Sequence, residues 1–151
     1  MKKSLFVYAA IILFIIVSGY KNVYSLETKP GVFAVVYKDL VLKDGVREIN
    51  YEQFMKIRNS NGKYILLDAR SAESYKAGHI ELALSFPVQT IDKENAAKRL
   101  TKESNIIVYC AGFHCQASTL AAKSLSSFGY KVVDYKGGVG EWQEKGNKLV
   151  S

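Results

Sequence analysis

The sequence predicts an α/β fold in which helices flank a central, mostly parallel β-sheet. Short apolar runs alternate with segments of helical periodicity along most of the chain, which is typical of parallel strands joined by helices. One of these runs, residues 64–68, is apolar almost without interruption, as expected of a strand that is buried on both faces. The 151 residues suffice for one domain with a substantial core.

Residues 1–25 have the order of a secretory signal peptide. Lys2 and Lys3 precede the apolar run Leu5–Val17, and the small residue Ser25 follows at a position suited to cleavage. The apolar run is shorter than the roughly 20 residues that a membrane-spanning helix needs. We therefore expect a cleaved signal and export, to a bacterial periplasm or the extracellular space. An uncleaved N-terminal anchor in the membrane is the alternative.

The charge of the chain does not indicate a nucleic-acid partner. The formal net charge is +7, and removing the three lysines of the first 25 residues leaves +4. The remaining lysines are scattered, without a basic run or interleaved aromatic residues, so they indicate a solvated surface.

Residues 26–45 are expected to form an N-terminal extension. Within it, residues 32–37 and 40–42 alternate loosely between apolar and other side chains, which favours strands, and Asp44-Gly45 favours a hairpin turn. The next element is a helix that begins after Asn50, because an Asn followed three residues later by Gln53 is a capping-box signature. The buried side of this helix is expected to carry Tyr51, Phe54 and Ile57.

Four further elements precede the only two cysteines. They are a strand at residues 64–68, a short helix that Ser71 caps and that stops at Gly78, a short strand at residues 83–88 with Pro87 near its end, and a helix at residues 92–100. Ligands of such sheets bind beyond the carboxyl ends of the strands. Asp68 and Arg70 lie at one of these ends.

Cys110 and Cys115 lie in a loop between a strand and a helix. Residues 105–109 predict a buried strand, residues 116–128 a helix and residues 131–135 the last strand. One face of the helix is expected to hold Ala117, Leu120, Ala121, Ser124 and Phe128. The free N–H groups and the positive dipole at its N-terminus favour an anion and lower the pKa of a thiol. The loop therefore suits a nucleophilic cysteine.

The two cysteines are expected to be reactive rather than structural. A nearby pair in an exported protein tends to form a disulfide. A disulfide that closes a loop of only six residues removes little loop-closure entropy, so it would stabilise the fold weakly. A reactive or redox-active pair is the better interpretation.

Four motifs together resemble the rhodanese-like family of sulfurtransferases. In chain order they are Leu67-Asp68-Ala69-Arg70, Tyr75-x-x-Gly78-His79-Ile80, Val108-Tyr109-Cys110, and a closing segment from Gly129-Tyr130 through Gly137-Gly138 to Trp142. Their order and spacing match that family over residues 46–148. The resemblance implies a three-layer fold around a mostly parallel sheet, and persulfide chemistry at Cys110, which occupies the position of the family's nucleophile.

The resemblance also implies a binding loop for the transferred sulfur. Its residues are Ala111, Gly112, Phe113, His114, Cys115 and Gln116, whose backbone N–H groups are expected to surround the terminal sulfur. The donor would be a small sulfur-containing anion such as thiosulfate, or a persulfide or polysulfide, and the acceptor a thiol or cyanide. No metal and no organic cofactor is needed, because the sulfur is carried covalently.

At one position the loop departs from the pattern of many active members, which have arginine five residues after the cysteine. This chain has Cys115 there, and between Cys110 and Gln116 only His114 can become positively charged. Cys115 could resolve a Cys110 persulfide by attacking it, releasing hydrosulfide and leaving a disulfide. The pair could instead be an oxidised resting state. Either cycle would require a reductant, such as a thioredoxin-like protein.

Other polar residues of the motifs have structural interpretations. Asp68 and Arg70 are expected to form an ion pair that supports the cysteine loop, His79 to make a structural hydrogen bond, and Trp142 to anchor the C-terminal helix. The spacing of cysteines and histidines does not favour zinc. A phosphatase of related fold would need arginine at position 116, where this chain has Gln116.

Three functions therefore remain as hypotheses. The leading one is an exported sulfurtransferase that uses Cys110, because the motifs occur in order and the loop ends at a helix N-terminus. The second is a thiol–disulfide redox protein that uses Cys110 and Cys115. The third is a non-catalytic rhodanese-like binding module.

Overall fold

A computed structural model describes residues 31–151 of the chain. The predicted signal segment, residues 1–25, lies outside the described residues, as do the first residues of the predicted extension. Within residues 31–151, no helix is both long enough and apolar enough to cross a membrane.

The described residues form a six-stranded sheet with six α-helices. The strands are β1 (Leu42–Lys43), β2 (Val46–Ile49), β3 (Ile65–Asp68), β4 (Ala83–Ser85), β5 (Asn105–Tyr109) and β6 (Lys131–Tyr135). The helices are α1 (Val32–Asp39), α2 (Tyr51–Arg58), α3 (Ala72–Ala77), α4 (Lys93–Arg99), α5 (Ala117–Ser127) and α6 (Gly138–Glu144), and a 3₁₀ turn spans Val88–Thr90. The predicted α/β class is confirmed.

The sheet has the strand order β1-β2-β6-β5-β3-β4. Only the β1–β2 hairpin is antiparallel, and the other neighbouring pairs are parallel. Strand β5 lies between β3 and β6, with Asp68 opposite Tyr109 and Tyr109 opposite Tyr135. The residues that follow these three strands therefore meet at one edge of the sheet.

Two hydrophobic clusters cover the two faces of the sheet. One contains buried residues of α1, α2 and α6, among them Phe33, Phe54 and Trp142. The other contains buried residues of α4 and α5, among them Ala96 and Leu125. Strand residues alternate between the two clusters, as the two-residue period of a strand requires. The architecture is thus three layers, with the sheet in the middle.

Most of the predicted helix and strand boundaries agree with the structure because local capping residues set them. Asn50 caps α2 with the predicted capping box, in which Gln53 N donates to Asn50 Oδ1 at 2.9 Å and Asn50 N donates to Gln53 Oε1 at 3.0 Å. Ser71 caps α3, and Gly78 follows its last residue as predicted. Trp142 is buried in α6, as expected of an anchor.

Three local predictions were wrong. Residues 32–37 form part of helix α1, whose buried residues Phe33 and Val36 are three positions apart on one face. Strand β4 ends at Ser85, and Val88 begins the 3₁₀ turn, because the chain bends at Pro87. The buried face of α5 is Ser118, Ala121, Ala122 and Leu125, whereas the predicted face residue Leu120 is 53% exposed.

Candidate functional site

The cysteine loop begins at the carboxyl end of β5, in the middle of the sheet. Cys110 directly follows β5, and the neighbouring segment after β3 is joined to it by a hydrogen bond of 2.9 Å from Ala69 N to Tyr109 O. The loop then reaches α5, which begins at Ala117. Central strands have neighbours on both sides, so the first residue of the loop is held firmly in place.

The backbone of α6 holds the other side of the loop. Val139 N donates to Cys110 O at 3.0 Å, and Gly140 N donates to Ala111 O at 2.9 Å. Gly138 has a φ of +55°, and a Cβ atom on it would lie 2.3 Å from Cys110 O. The Gly137-Gly138 pair therefore permits an approach that a larger residue at position 138 would prevent.

The Cys110 side chain is fully buried beneath this loop. Its exposed fraction is 0%, Ser118 Oγ donates to its sulfur at 3.3 Å, and its thiol faces Cys115 O at 3.4 Å. Burial raises the pKa of the Cys110 thiol, although the backbone N–H groups of Ser118 and Gly112 act to lower that pKa. The predicted lowering at the first cysteine of the loop is therefore wrong, because desolvation outweighs the helix N-terminus.

Cys115 is the thiol whose pKa is lowered. Burial acts to raise its pKa, but a hydrogen bond from the Cys110 thiol, backbone N–H groups of Ala111 and Ala117 and the charge of Lys136 outweigh that effect. Ala117 is the first residue of α5, so the helix N-terminus acts on this second sulfur. Both cysteines are free thiols in the structure.

Lys136 supplies the positive charge that the sequence of the loop lacks. Its Nζ donates to Cys115 O and to Thr119 Oγ1, both at 2.7 Å. Lys136 directly follows β6, the neighbour of β5, so parallel pairing brings it beside the loop. Lys136 was not among the site residues predicted from the sequence, although its place at the carboxyl end of a predicted strand was a usable signal.

Asp68 and Arg70 form the ion pair predicted for them, and Tyr109 joins it. Arg70 Nη2 lies 2.6 Å from Asp68 Oδ2 and donates to Gly78 O at 2.7 Å. Asp68 is 0% exposed, and Tyr109 OH donates to its Oδ2 at 2.8 Å. This network holds Tyr109, the last residue of β5, which directly precedes Cys110. His79 has the structural contact predicted for it, with Nδ1 3.0 Å from Tyr75 O.

The remaining loop residues lie mainly at the surface. Ala111, His114 and Gln116 are exposed, Gly112 is half-buried, and Phe113 is 57% exposed despite its aromatic ring. Phe113 and Lys136 line one side of an open groove of about 480 Å³ that reaches the β1–β2 hairpin and the start of α2. The Phe113 ring of the loop and the Lys136 side chain that follows β6 thus line the same groove.

Comparisons with known proteins agree with this architecture. The family model of the rhodanese-like domain matches residues 51–145. The crystal structure of the BH2092 protein from Bacillus halodurans has a TM-score of 0.62 and 32% identity, covering 69% of this chain and 76% of that one.

Two curated relatives show the range of proteins that contain such a segment. An HTH-type transcriptional regulator of Mycobacterium tuberculosis is 32% identical over 89 residues, which cover 59% of this chain and only 38% of the regulator. A mitochondrial protein of Schizosaccharomyces pombe, whose name proposes a thiosulfate sulfurtransferase, is 27% identical over 118 residues, which cover 66% of this chain and 82% of that protein.

Proposed function

Because this chain belongs to the rhodanese-like domain family, we propose that it is a sulfurtransferase that carries sulfur as a persulfide on Cys110. Its cysteine loop starts at the family's nucleophile position, and the name of the S. pombe relative supports the same reaction class. The Cys110 thiolate would attack the outer sulfur of a donor, whose S–S bond breaks and releases sulfite or a thiolate. An acceptor nucleophile would then take that sulfur and regenerate the Cys110 thiolate.

The observation that carries this proposal is the set of donors around the Cys110 sulfur. Ser118 Oγ donates to it at 3.3 Å, and the backbone N–H groups of Gly112 and Ser118 also act on it. These donors are fixed by α5 and by the contacts of the loop with α6, so they need no rearrangement when the sulfur becomes negatively charged. Burial still raises the pKa of the Cys110 thiol, and these donors offset part of that cost for a thiolate or a persulfide anion.

Lys136 and Phe113 support small anionic donors as substrates. Lys136 places one positive charge beside Cys115, the position that is arginine in many active members. A single lysine held by two hydrogen bonds favours an anion such as thiosulfate or a persulfide. The groove lined by Phe113 and Lys136 is wide enough for a small thiol acceptor or cyanide.

A second candidate function is thiol–disulfide exchange between Cys110 and Cys115. The Cys110 thiol donates to Cys115 O at 3.4 Å, and the pKa of the Cys115 thiol is lowered, so one sulfur is a ready nucleophile in the same loop as the other. In this cycle Cys115 would be the resolving thiol, and a thioredoxin-like protein would reduce the disulfide.

Export remains part of the proposal, on the basis of the sequence of residues 1–25. The periplasm or the extracellular space is the proposed location, and an uncleaved segment would anchor the domain to the membrane on the same side. N-terminal sequencing of the chain recovered from an expressing cell distinguishes the two, since cleavage after Ser25 leaves Leu26 as the first residue.

Intact-mass analysis tests the two chemistries together. The full-length chain is measured before and after reduction, and again after incubation with thiosulfate or with a low-molecular-weight persulfide. A persulfide enzyme gains about 32 Da, the mass of one sulfur atom, and the Cys110→Ser variant gains none. The Cys115→Ser variant is the matched control, since it keeps the Cys110 thiol.

The other outcomes contradict sulfur transfer through Cys110. A loss of about 2 Da that reduction reverses, with no sulfur uptake afterwards, identifies the redox pair. If the chain shows neither the gain of sulfur nor the loss of about 2 Da with either donor, the non-catalytic binding module is the function that remains. Sulfur uptake that persists in the Cys110→Ser variant would remove Cys110 from the mechanism.

A further inference from the structure

Three hydrogen bonds join a buried carboxyl group on β6 to the cysteine loop. Asp134 is 0% exposed, and its Oδ2 accepts a hydrogen bond of 2.9 Å from Thr119 Oγ1. Thr119 Oγ1 in turn accepts a hydrogen bond of 2.7 Å from Lys136 Nζ, and the same Nζ donates to Cys115 O at 2.7 Å. Thr119 lies in the middle of this chain of contacts, and the reaction described above gives it no role.

The sheet and helix α5 bring these residues together. Asp134 and Lys136 are two residues apart along the chain, which returns their side chains to the same side of the sheet. Helix α5 covers that side, where its Leu125 packs in one cluster with Val132 of β6. Thr119 lies in the first turn of α5, so its hydroxyl faces the last residues of β6 and the end of the cysteine loop.

The Thr119 hydroxyl fixes the direction of the chain of hydrogen bonds. A hydroxyl group has one proton to donate, and Thr119 gives it to the Asp134 carboxyl, so its lone pairs serve Lys136. An ammonium group has three N–H donors, and within residues 31–151 Thr119 and Cys115 take two of those of Lys136. The third N–H of Lys136 is available to a ligand, and Lys136 lines the groove beside the loop.

The positive charge of Lys136 is thereby held at one place. Ordering a lysine side chain costs rotamer entropy, and two charge-assisted hydrogen bonds offset that cost here. The Lys136 charge also acts to lower the pKa of Asp134, which burial raises, so the two groups stabilise each other. An anion that binds to Lys136 therefore meets a group that is already ordered, which favours its binding.

The held ammonium group lies close to the reacting sulfur. The Cys110 thiol donates to Cys115 O at 3.4 Å, so Lys136 Nζ and Cys110 Sγ share one acceptor oxygen. Cys110 is fully buried beneath the loop, whereas Lys136 is half-buried and borders the groove. A ligand that enters from the groove therefore reaches Lys136 before it reaches Cys110.

We propose that Thr119 is a positioning residue that makes the site selective for anionic sulfur donors, because it holds the Lys136 ammonium where the oxyanion end of the donor binds. This inference rests on the proposed function, since it names the residue that orients the donor of that reaction. Lys136 touches the donor, and Thr119 acts through Lys136. A thiosulfate ion bound by its oxyanion end presents its outer sulfur to the cysteine loop.

The test uses variants that remove or keep the Thr119 hydroxyl. Thr119→Val keeps the volume and the branched Cβ atom but can neither accept from Lys136 nor donate to Asp134, whereas Thr119→Ser keeps the hydroxyl. Thr119→Ala is a second deletion, used if a valine methyl group against Asp134 prevents folding. Thr101→Val is the matched control, because Thr101 precedes β5, at the opposite end of that strand from the cysteine loop, and its hydroxyl contacts Ser104.

The first measurement is sulfur uptake by intact mass in single turnovers at increasing thiosulfate concentration. Thr119→Val is expected to raise the half-saturating thiosulfate concentration by about tenfold, because the donor loses a fixed charged partner. The limiting rate stays within about twofold, because the groups around Cys110 are unchanged. Thr119→Ser and Thr101→Val keep the parent values. A merely structural role would lower the amount of sulfur taken up without moving the half-saturating concentration.

The second measurement needs no sulfur transfer. In a Cys110→Ser chain the half-buried Cys115 is the only thiol, and its alkylation by iodoacetamide is followed as a function of pH. Thr119→Val is expected to move the pH midpoint upward, as Lys136→Met does, because each variant takes the lysine charge away from Cys115. The double variant moves the midpoint no further than Lys136→Met alone, because Thr119 acts through Lys136.

Two results would overturn the inference: a half-saturating thiosulfate concentration that Thr119→Val leaves unchanged, or a midpoint shift that adds to that of Lys136→Met. Sulfur uptake from a persulfide but not from thiosulfate contradicts the oxyanion site itself. A parent chain that takes up no sulfur from either donor refutes the proposed sulfurtransferase, and the Cys115 midpoints then decide whether Thr119 holds Lys136. Sulfur uptake with unchanged Thr119→Val values leaves the sulfurtransferase standing and removes Thr119.

Discussion

Replacing Gly138 by Ala is expected to disturb the cysteine loop from a position outside it. The φ of +55° at Gly138 is strained for a residue with a Cβ atom, and that atom would lie 2.3 Å from Cys110 O. Real Cβ atoms essentially never approach within 3.0 Å, so either the loop or the start of α6 must move. Both movements stretch the hydrogen bonds from Val139 N to Cys110 O and from Gly140 N to Ala111 O.

The magnitude follows from three contributions. A left-handed conformation at a residue other than glycine costs about 1 kcal/mol or more. Relieving an overpacked contact costs about 1–3 kcal/mol. Each weakened backbone hydrogen bond costs up to about 1 kcal/mol. We therefore expect Gly138→Ala to lower the free energy of unfolding by about 3–5 kcal/mol, a large share of the roughly 5–15 kcal/mol that holds a domain folded.

Gly146→Ala is the matched control, because Gly146 also has a positive φ, +84°, but nothing lies within 4 Å of its Cβ position. It should cost only the conformational penalty, about 1 kcal/mol. Urea unfolding of both variants measures the difference, and alkylation of Cys110 reports whether the loop has opened. Equal losses of stability in the two variants would refute the role assigned to the contact with Cys110.

Three further predictions concern buried and charged groups. Tyr109→Phe leaves Ile80 N without its 3.1 Å acceptor and Asp68 without one donor, so it should lower the unfolding free energy by about 3 kcal/mol in urea. In a Cys110→Ser chain, Lys136→Met should move the pH midpoint of Cys115 alkylation upward, because a neighbouring charge that lowers the Cys115 pKa is lost. The control is Lys131→Met at an exposed strand position, which should leave that midpoint unchanged. Burial raises the pKa of Asp134 in the folded state. Its contribution to stability is therefore complete below the ordinary carboxyl pKa and is lost as the pH rises through the pKa of the folded state. Calorimetry should show that Asp134→Asn gains stability relative to the parent chain as the pH rises across that window, whereas a difference that is constant with pH would contradict the burial argument.

Much of the fold could be predicted because its signals are local. The capping pair Asn50 and Gln53 and the breaker Gly78 act within a few residues, so the sequence alone sets where α2 begins and α3 ends. The helix at residues 32–39 was not predicted, because the spacing of its apolar residues is compatible with a strand as well as with a helix. Its packing against the sheet through Phe33 and Val36 decides between the two.

For the candidate site, the sequence determined which residue is the nucleophile candidate and where its loop lies. The position of Cys110 between a buried strand and a helix is readable from residue types and order alone. What surrounds its sulfur was decided by the tertiary structure. Lys136 lies more than 20 residues away along the chain, and the pairing of β5 with β6 brings it beside the loop.

The protonation of the two cysteines shows the same division. Sequence spacing assigns the helix N-terminus to the loop, but it cannot say which sulfur the N–H groups reach or how deeply each sulfur is buried. In the folded chain Cys110 is fully buried while Cys115 lies near Lys136 and Ala117, so the pKa values of the two thiols move in opposite directions. Residue identity and chain order determine the elements and the candidate nucleophile, whereas desolvation and long-range contacts, which exist only in the packed structure, determine the chemistry of the site.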